Sequence, residues 1–151
     1  MYVLRWSDIR TWGTDIPPIE NDLVYVPAGM PLFVDQSTPR LAGIIVTDGK
    51  LIFSDEKDIE IHTDLILINK GEFRAGTKEV PHLNKLKFVL YGSYHGKQLP
   101  MFGNKGIICN ECKFSMWGKP RPITWTQITG TINPGDTTFD VLDANYDWVA
   151  G

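Results

Sequence analysis

Leu65-Ile66-Leu67-Ile68-Asn69-Lys70-Gly71-Glu72-Phe73-Arg74-Ala75-Gly76 is the phrase on which the fold turns. It is an apolar run, a tight turn at Lys70-Gly71, a second and alternating run, and a closing glycine. The same phrase runs from Leu41 to Phe53 around Asp48-Gly49, and from Ile107 to Gly118 around Asn110-Glu111. The first two turns lie about 22 residues apart and the third about 40 further on, close to two such steps. The strand-like run Leu86-Lys87-Phe88-Val89-Leu90-Tyr91-Gly92 marks the expected intermediate step. A period in the twenties suits a parallel β-solenoid, in which each coil buries its inner face only against its neighbours. The pattern therefore predicts an all-β, parallel β-helix-like stack of short strands with glycine turns and little helix, a scaffold rather than a catalyst.

Outward from this phrase, further strands are expected at about 23–26, 31–35, 44–47, 50–54, 58–62, 86–91, 106–109, 112–116, 123–128 and 138–142. No 11-residue window carries a helical stripe, and 14 Gly with 10 Pro punctuate strands rather than helices. Parity puts Ile59 with Ile61, Phe88 with Leu90, and Cys112 with Phe114 and Met116 on single faces. Leu65 to Ile68 is apolar on both faces, as for a strand covered on both sides. Glycine is expected to supply the left-handed backbone at Asp48-Gly49 and Lys70-Gly71, with Asn110 doing so at the third turn. Residues 1–18, with Trp6 and Trp12 and the rigid Asp15-Ile16-Pro17-Pro18, read as an N-terminal arm packed on a single domain over 19–151.

The bulk numbers narrow the function. At 151 residues, 42% hydrophobic and 22% charged, the chain suits one domain with a real core. A net charge of −3 with scattered Lys and Arg gives no support for nucleic-acid or anionic-membrane binding. The longest apolar stretch, Leu41 to Val46, is far short of the roughly 20 residues a membrane span needs. Met1 to Arg5 lacks the basic start and apolar core of a leader, which leaves an intracellular protein or a domain cut from a longer secreted one. No Gly-x-Ser-x-Gly elbow or phosphate loop is present, and no cofactor, metal or catalytic residue is expected.

Cys109 and Cys112, the only two cysteines, flank Asn110-Glu111. A turn there brings their Cα atoms within about 7 Å, so either two small packed residues or a local disulfide fits. Strand-like residues on both sides disfavour a redox motif, which opens a helix. His62, His82 and His95 lack zinc-ligand spacing. Asp55, Glu56 and Asp58 lie on one turn without the ladder of a calcium loop, and read as solvated.

Val26-Pro27-Ala28-Gly29-Met30, the two phrases centred on Gly49 and Gly71, Pro81-x-x-x-Lys85, Leu90-Tyr91-Gly92, Leu99-Pro100-Met101-Phe102-Gly103, Met116-Trp117-Gly118-Lys119-Pro120-Arg121, Thr124-Trp125-Thr126 and Asp147-Trp148-Val149-Ala150-Gly151 form an ordered set. This set resembles the G-eight (eight-glycine) domain family, in the form found in fibrocystin and fibrocystin-like proteins. It runs from about Trp6 to Gly151, essentially the whole chain. The third turn departs from the family pattern, with Asn110-Glu111 where glycine is commoner.

The resemblance implies an extracellular, non-catalytic part of a large secreted or single-pass membrane protein, usually followed by parallel β-helix repeats. The chain would then be an excised segment that caps or starts a β-helix and serves adhesion or assembly. Its expected partners are neighbouring β-helix segments or further copies of itself. Relatives linked to hyaluronan breakdown imply an alternative, glycan binding or support of a glycan-degrading protein.

For that alternative the candidate contacts are Trp6, Trp12, Tyr91, Tyr94 and His95, since exposed aromatics stack on sugar rings or anchor interfaces. Trp117, Trp125 and Trp148 sit on the family framework and read as packing residues. The structural turns are assigned to Gly29, Gly49, Gly71, Gly76, Gly92, Gly103, Gly118 and Gly151.

Overall fold

The computed structural model describes residues 4–13, 16–93, 95 and 101–143. Tyr94, Trp148 and Gly151 lie outside the described residues, as do Leu99 and Pro100. The chain divides into two units, Met1–Gly118 and Lys119–Gly151.

Among its described residues the first unit is all-β apart from one turn of 3-10 helix at Ile9–Trp12, and every strand pairs in parallel. Its strands are β1 (Leu4–Arg5), β2 (Leu23–Val26), β3 (Pro31–Val34), β4 (Gly43–Thr47), β5 (Lys50–Phe53), β6 (Ile59–Thr63), β7 (Leu65–Asn69), β8 (Glu72–Ala75), β9 (Leu86–Leu90), β10 (Gly106–Asn110) and β11 (Lys113–Met116). They form a five-stranded sheet β1-β3-β5-β8-β11, a four-stranded sheet β10-β7-β4-β2 and the pair β6-β9. Each tight turn carries the chain from the four-stranded sheet to the five-stranded one. The phrases therefore become layers: β2-β3, β4-β5, β7-β8 and β10-β11.

Register aligns equivalent residues of successive layers. Val24, Ile44, Ile66 and Ile107 pair across the four-stranded sheet, and Leu32, Leu51, Phe73 and Phe114 across the five-stranded one. These columns supply much of the core, which Ile59 and Ile61 of β6 complete. β7 is buried on both faces from Leu65 to Ile68, as its unbroken apolar run requires.

The expected intermediate step between the second and third turns is corrected. β10 pairs directly with β7, so the chain from Leu65 to Gly106 makes a single layer. Leu86–Leu90 belongs instead to the third sheet, against β6. Residues 76–85, between β8 and β9, account for part of the remaining length. Counting residues gave two steps because loop residues add length without adding a layer.

The turn chemistry is also corrected. The left-handed residues are Asp48 (φ 53°), Lys70 (φ 58°) and Glu111 (φ 50°), each preceding the position assigned to glycine or following Asn110. Gly49 and Gly71 are needed for space. A Cβ at Gly49 would stand 2.7 Å from the Pro27 carbonyl oxygen, and one at Gly71 would stand 2.6 Å from that of Gly49.

In the second unit, strands were expected at 123–128 and 138–142. The described residues carry only an isolated antiparallel bridge, Ile128 to Val141, with backbone hydrogen bonds from Thr129 to Asp140 and from Leu142 to Gln127. Alternation specifies a strand only where one face finds a core, and here Ile128, Phe139 and Leu142 stay exposed.

Candidate functional site

Among the described residues of the first unit, the core is sealed at one end and open at the other. At the first layer the N-terminal arm closes it: β1 pairs with β3, and Trp6 is 1% exposed. Asp8 caps the 3-10 turn by accepting from the Arg10 N–H, which brings Trp12 edge-on to Trp6 at 4.8 Å, where its Nε1 donates to the Trp6 carbonyl. Val24, Val26, Leu32 and Val34 are all buried beneath this arm. Trp6 is therefore a packing residue, and its assignment as a glycan or partner contact is corrected. Trp12 is half-buried and lines an apolar cavity of about 320 Å³ with Leu4, Tyr25, Met30 and Leu32.

At the last layer the same inward columns emerge into solvent. Phe73 is fully buried, yet Phe114, its partner one layer on, is 45% exposed. Phe114 stacks on Phe73 with centroids 4.5 Å apart and planes 12° apart. Met116, aligned with buried Ala75, is 50% exposed, and Trp117 is nearly as open. Among the described residues no strand pairs with the far edge of β10 or β11. Parity had placed Cys112, Phe114 and Met116 on one inner face, but not at the end of the series.

Polar groups define this last layer further. Asn110 Nδ2 donates to Asn69 Oδ1 at 2.8 Å, a carboxamide ladder running beside the turns. Cys109 and Cys112 form a disulfide across Asn110-Glu111 with Cα atoms 5.4 Å apart. On the outer face of the five-stranded sheet Glu72 is shared by Lys50 (3.3 Å), Lys113 (3.8 Å) and Arg74 (3.8 Å), tying three layers together.

Beside the open end, a cavity of about 180 Å³ is lined by Ala75, His82, Asn84, Leu86, Met116 and Trp117. The His82 N–H donates to the Trp117 carbonyl at 2.6 Å, and the buried imidazole lies 3.5 Å from Asp55 Oδ1. Gly76 permits this approach, since a Cβ there would stand 2.6 Å from both His82 N and Trp117 O.

The acidic turn is solvated, as expected, with Glu56 and Asp58 exposed, and it is an anchor as well. Asp55 accepts from the Leu83 and Asn84 N–H groups, and Asp58 from that of Lys85. Burial pushes the Asp55 carboxyl up, but these donors and the charge of His82 outweigh it and hold it below the ordinary carboxylate range.

Tyr91 joins a separate cluster on β6 and β9. Its hydroxyl meets His62 Nδ1 at 2.8 Å, and Arg40 sits 4.7 Å from its ring centroid. The His62 ring packs against it, and His62 Nε2 meets Glu60 at 3.2 Å. The Lys87 hydrogen bond holds the Glu60 carboxyl below its usual range, with His62 adding to the effect. Tyr94 lies outside the described residues, and His95 is exposed. Of the remaining glycines, Gly29 and Gly103 have positive φ, a Cβ at Gly92 would strike the Asn104 carbonyl, and Gly118 faces open space.

The G8 domain family model matches residues 11–129. Fibrocystin-L of Homo sapiens is 35% identical over 152 residues, covering 100% of this chain and 4% of the relative. Fibrocystin of Canis lupus familiaris is 33% identical over 99% of the chain and 4% of the relative. Protein rliB of Dictyostelium discoideum is 27% identical over 99% of the chain and 14% of the relative. The chain thus spans a small fraction of the curated relatives it matches. No solved structure matches it.

Proposed function

The chain belongs to the G8 domain family, and from that premise we propose that it is a non-catalytic structural and interaction module of a large cell-surface or secreted protein, one that starts a parallel β-helix and takes part in adhesion or assembly. One observation carries the reading. The inward residues of the first layer are buried beneath Trp6 and Trp12, while Phe114 and Met116 of the last layer are half exposed. A coil buries its face only against a neighbour, so such a series has a closed start and an end awaiting another coil.

The four aligned layers support the β-helix reading, as does the run from Thr38 to Leu41, which hydrogen-bonds to β6 as a further strand would. The Cys109–Cys112 disulfide supports an extracellular setting, because such bonds persist in oxidising compartments. Neighbouring β-helix segments are the natural partners.

Dye binding tests the reading. An apolar-surface dye such as anilinonaphthalene sulfonate should bind the native chain. The double variant Phe114→Ser/Met116→Ser should lose most of that signal while keeping its β circular dichroism spectrum. A native chain silent to the dye overturns the proposal.

A second reading, glycan binding, is favoured by one feature of the second unit. Trp125 is 71% exposed beside a cavity of about 370 Å³ lined by Thr124, Gln127 and Asp143. An open indole next to an amide and a carboxylate is an arrangement that stacks and hydrogen-bonds a sugar ring. Trp125→Ala should abolish any fluorescence response to hyaluronan or chitin oligomers; a native chain with no response sinks this second reading.

A further inference from the structure

We propose that the last layer selects its neighbour chemically: it takes a parallel strand–turn–strand segment that sets a carboxamide over Asn110 and an aromatic ring over Phe114. The inference rests on the open-end reading above and adds the recognition code.

The code is continued from the junctions already made. At each of them the incoming strands add in parallel, in one register, with like residues aligned. The last junction carries two directional contacts. Asn110 Nδ2 donates to Asn69 Oδ1, while Asn110 Oδ1 takes no donor among the described residues. A carboxamide above it donates to that oxygen and extends the ladder, as stacked Asn side chains do in in-register sheets. Phe114 lies nearly parallel on Phe73 with almost half its surface open. A ring on its free face gains stacking besides apolar burial.

The backbone is prepared for the same partner. β10, Gly-Ile-Ile-Cys-Asn, has neither charge nor proline, the devices that ordinarily blunt an edge strand. Its only covalent restraint, the disulfide to Cys112, ties the turn over which the next turn would pass.

Leu65–Gly76 already has this chemistry, with Asn69 and Phe73 in register with Asn110 and Phe114. A peptide of that sequence on a soluble carrier is therefore the probe. Added to the 151-residue chain, it should bind saturably and slow amide hydrogen exchange across 106–116. The peptide carrying N69A or F73A should bind about tenfold more weakly. Equal binding of all three peptides overturns the code, as does protection elsewhere on the chain. Peptide failure with dye binding intact overturns this inference alone, and loss of both overturns the open-end reading too. Self-association of the chain that the peptide does not displace assigns the edge to a second copy and overturns the choice of partner.

Discussion

The Cβ that Gly71 lacks would stand 2.6 Å from the carbonyl oxygen of Gly49, one layer below. The same column passes through Met30, Gly49, Gly71 and Cys112, since the Lys50 N–H reaches the Met30 carbonyl, that of Glu72 the Gly49 carbonyl and that of Lys113 the Gly71 carbonyl. Between Gly49 and Gly71 the turn-to-turn spacing is thus set by backbone against backbone. A layered fold of this kind is intolerant of bulk at such corners.

Valine at Gly71 or Gly76 should therefore destabilise the chain by about 2 kcal/mol or more, a melting decrease of roughly 4–8 °C for a domain of this size. Gly76 adds a positive φ of 69°, which a β-branched residue resists. Gly118→Ala is the control, because nothing lies within 4 Å of a Cβ there. Calorimetry on the three variants checks the ranking, and unchanged melting of Gly71→Val would mean that the layers are not this close.

Lys70 holds a φ of 58°, a region that costs a side-chain-bearing residue about 1 kcal/mol or more relative to glycine. Its ion pair with Glu111, at 3.8 Å and well exposed, offsets little of that. Lys70→Gly should leave stability unchanged or raise it by up to about 1 kcal/mol, after the extra chain entropy of glycine in the unfolded state. Urea unfolding measures the difference, and a loss above that size would show that the Lys70 side chain does more than turn the chain.

These two positions also mark how far the sequence could be read. Lys70-Gly71 is legible as a turn because a lysine and a glycine interrupt an apolar run. Which of the two is left-handed is not legible, since that depends on the Gly49 carbonyl, contributed by a phrase 22 residues earlier. Parity found Ile59 and Ile61 on one face, and both are fully buried. The same parity at Phe114 and Met116 found the face but not its exposure, because exposure depends on whether a further layer exists. At Ile123 to Ile128 alternation suggested a strand, yet local pattern carries no information on whether a core waits beneath it. Trp6 was misread for a related reason, since an aromatic in an arm looks available until Trp12 is in place; the bonds from Asp55 to Leu83 and Asn84 were likewise invisible before those residues were placed.

Asp55 makes a pH-dependent contribution. Its folded-state carboxyl is held below its ordinary value, so the stability it lends is present above the unfolded carboxylate pKa of about 3.9 and is lost as pH falls through the lower folded value. Asp55→Asn should cost about 1 kcal/mol at pH 7, through weaker bonds to the Leu83 and Asn84 N–H groups. The gap between native and variant should begin to close as pH falls below the unfolded value and go on closing as the folded carboxyl takes up its proton at lower pH. Thermal melts from pH 3 to pH 7 measure it. A gap that widens in acid would contradict the assigned sign.

Phe73 and Phe114 are the same residue type in the same column, one layer apart, and they separate burial from position. Phe73 is fully buried and touches Phe53 and Phe88 as well as Phe114. Phe73→Ala should cost about 3–5 kcal/mol, the range for a phenylalanine removed from a packed core. Phe114 keeps 45% of its surface in water, so less area returns to solvent and no closed cavity forms when it is cut back. Phe114→Ala should cost about half as much or less in the chain alone. If a further layer covers Phe114, the missing stabilisation should reappear when that layer is bound, and the two substitutions should converge in cost. Urea midpoints of both variants, with and without the Leu65–Gly76 peptide, measure the convergence. Equal costs in the bare chain would mean that the last layer is already closed by residues of the chain itself.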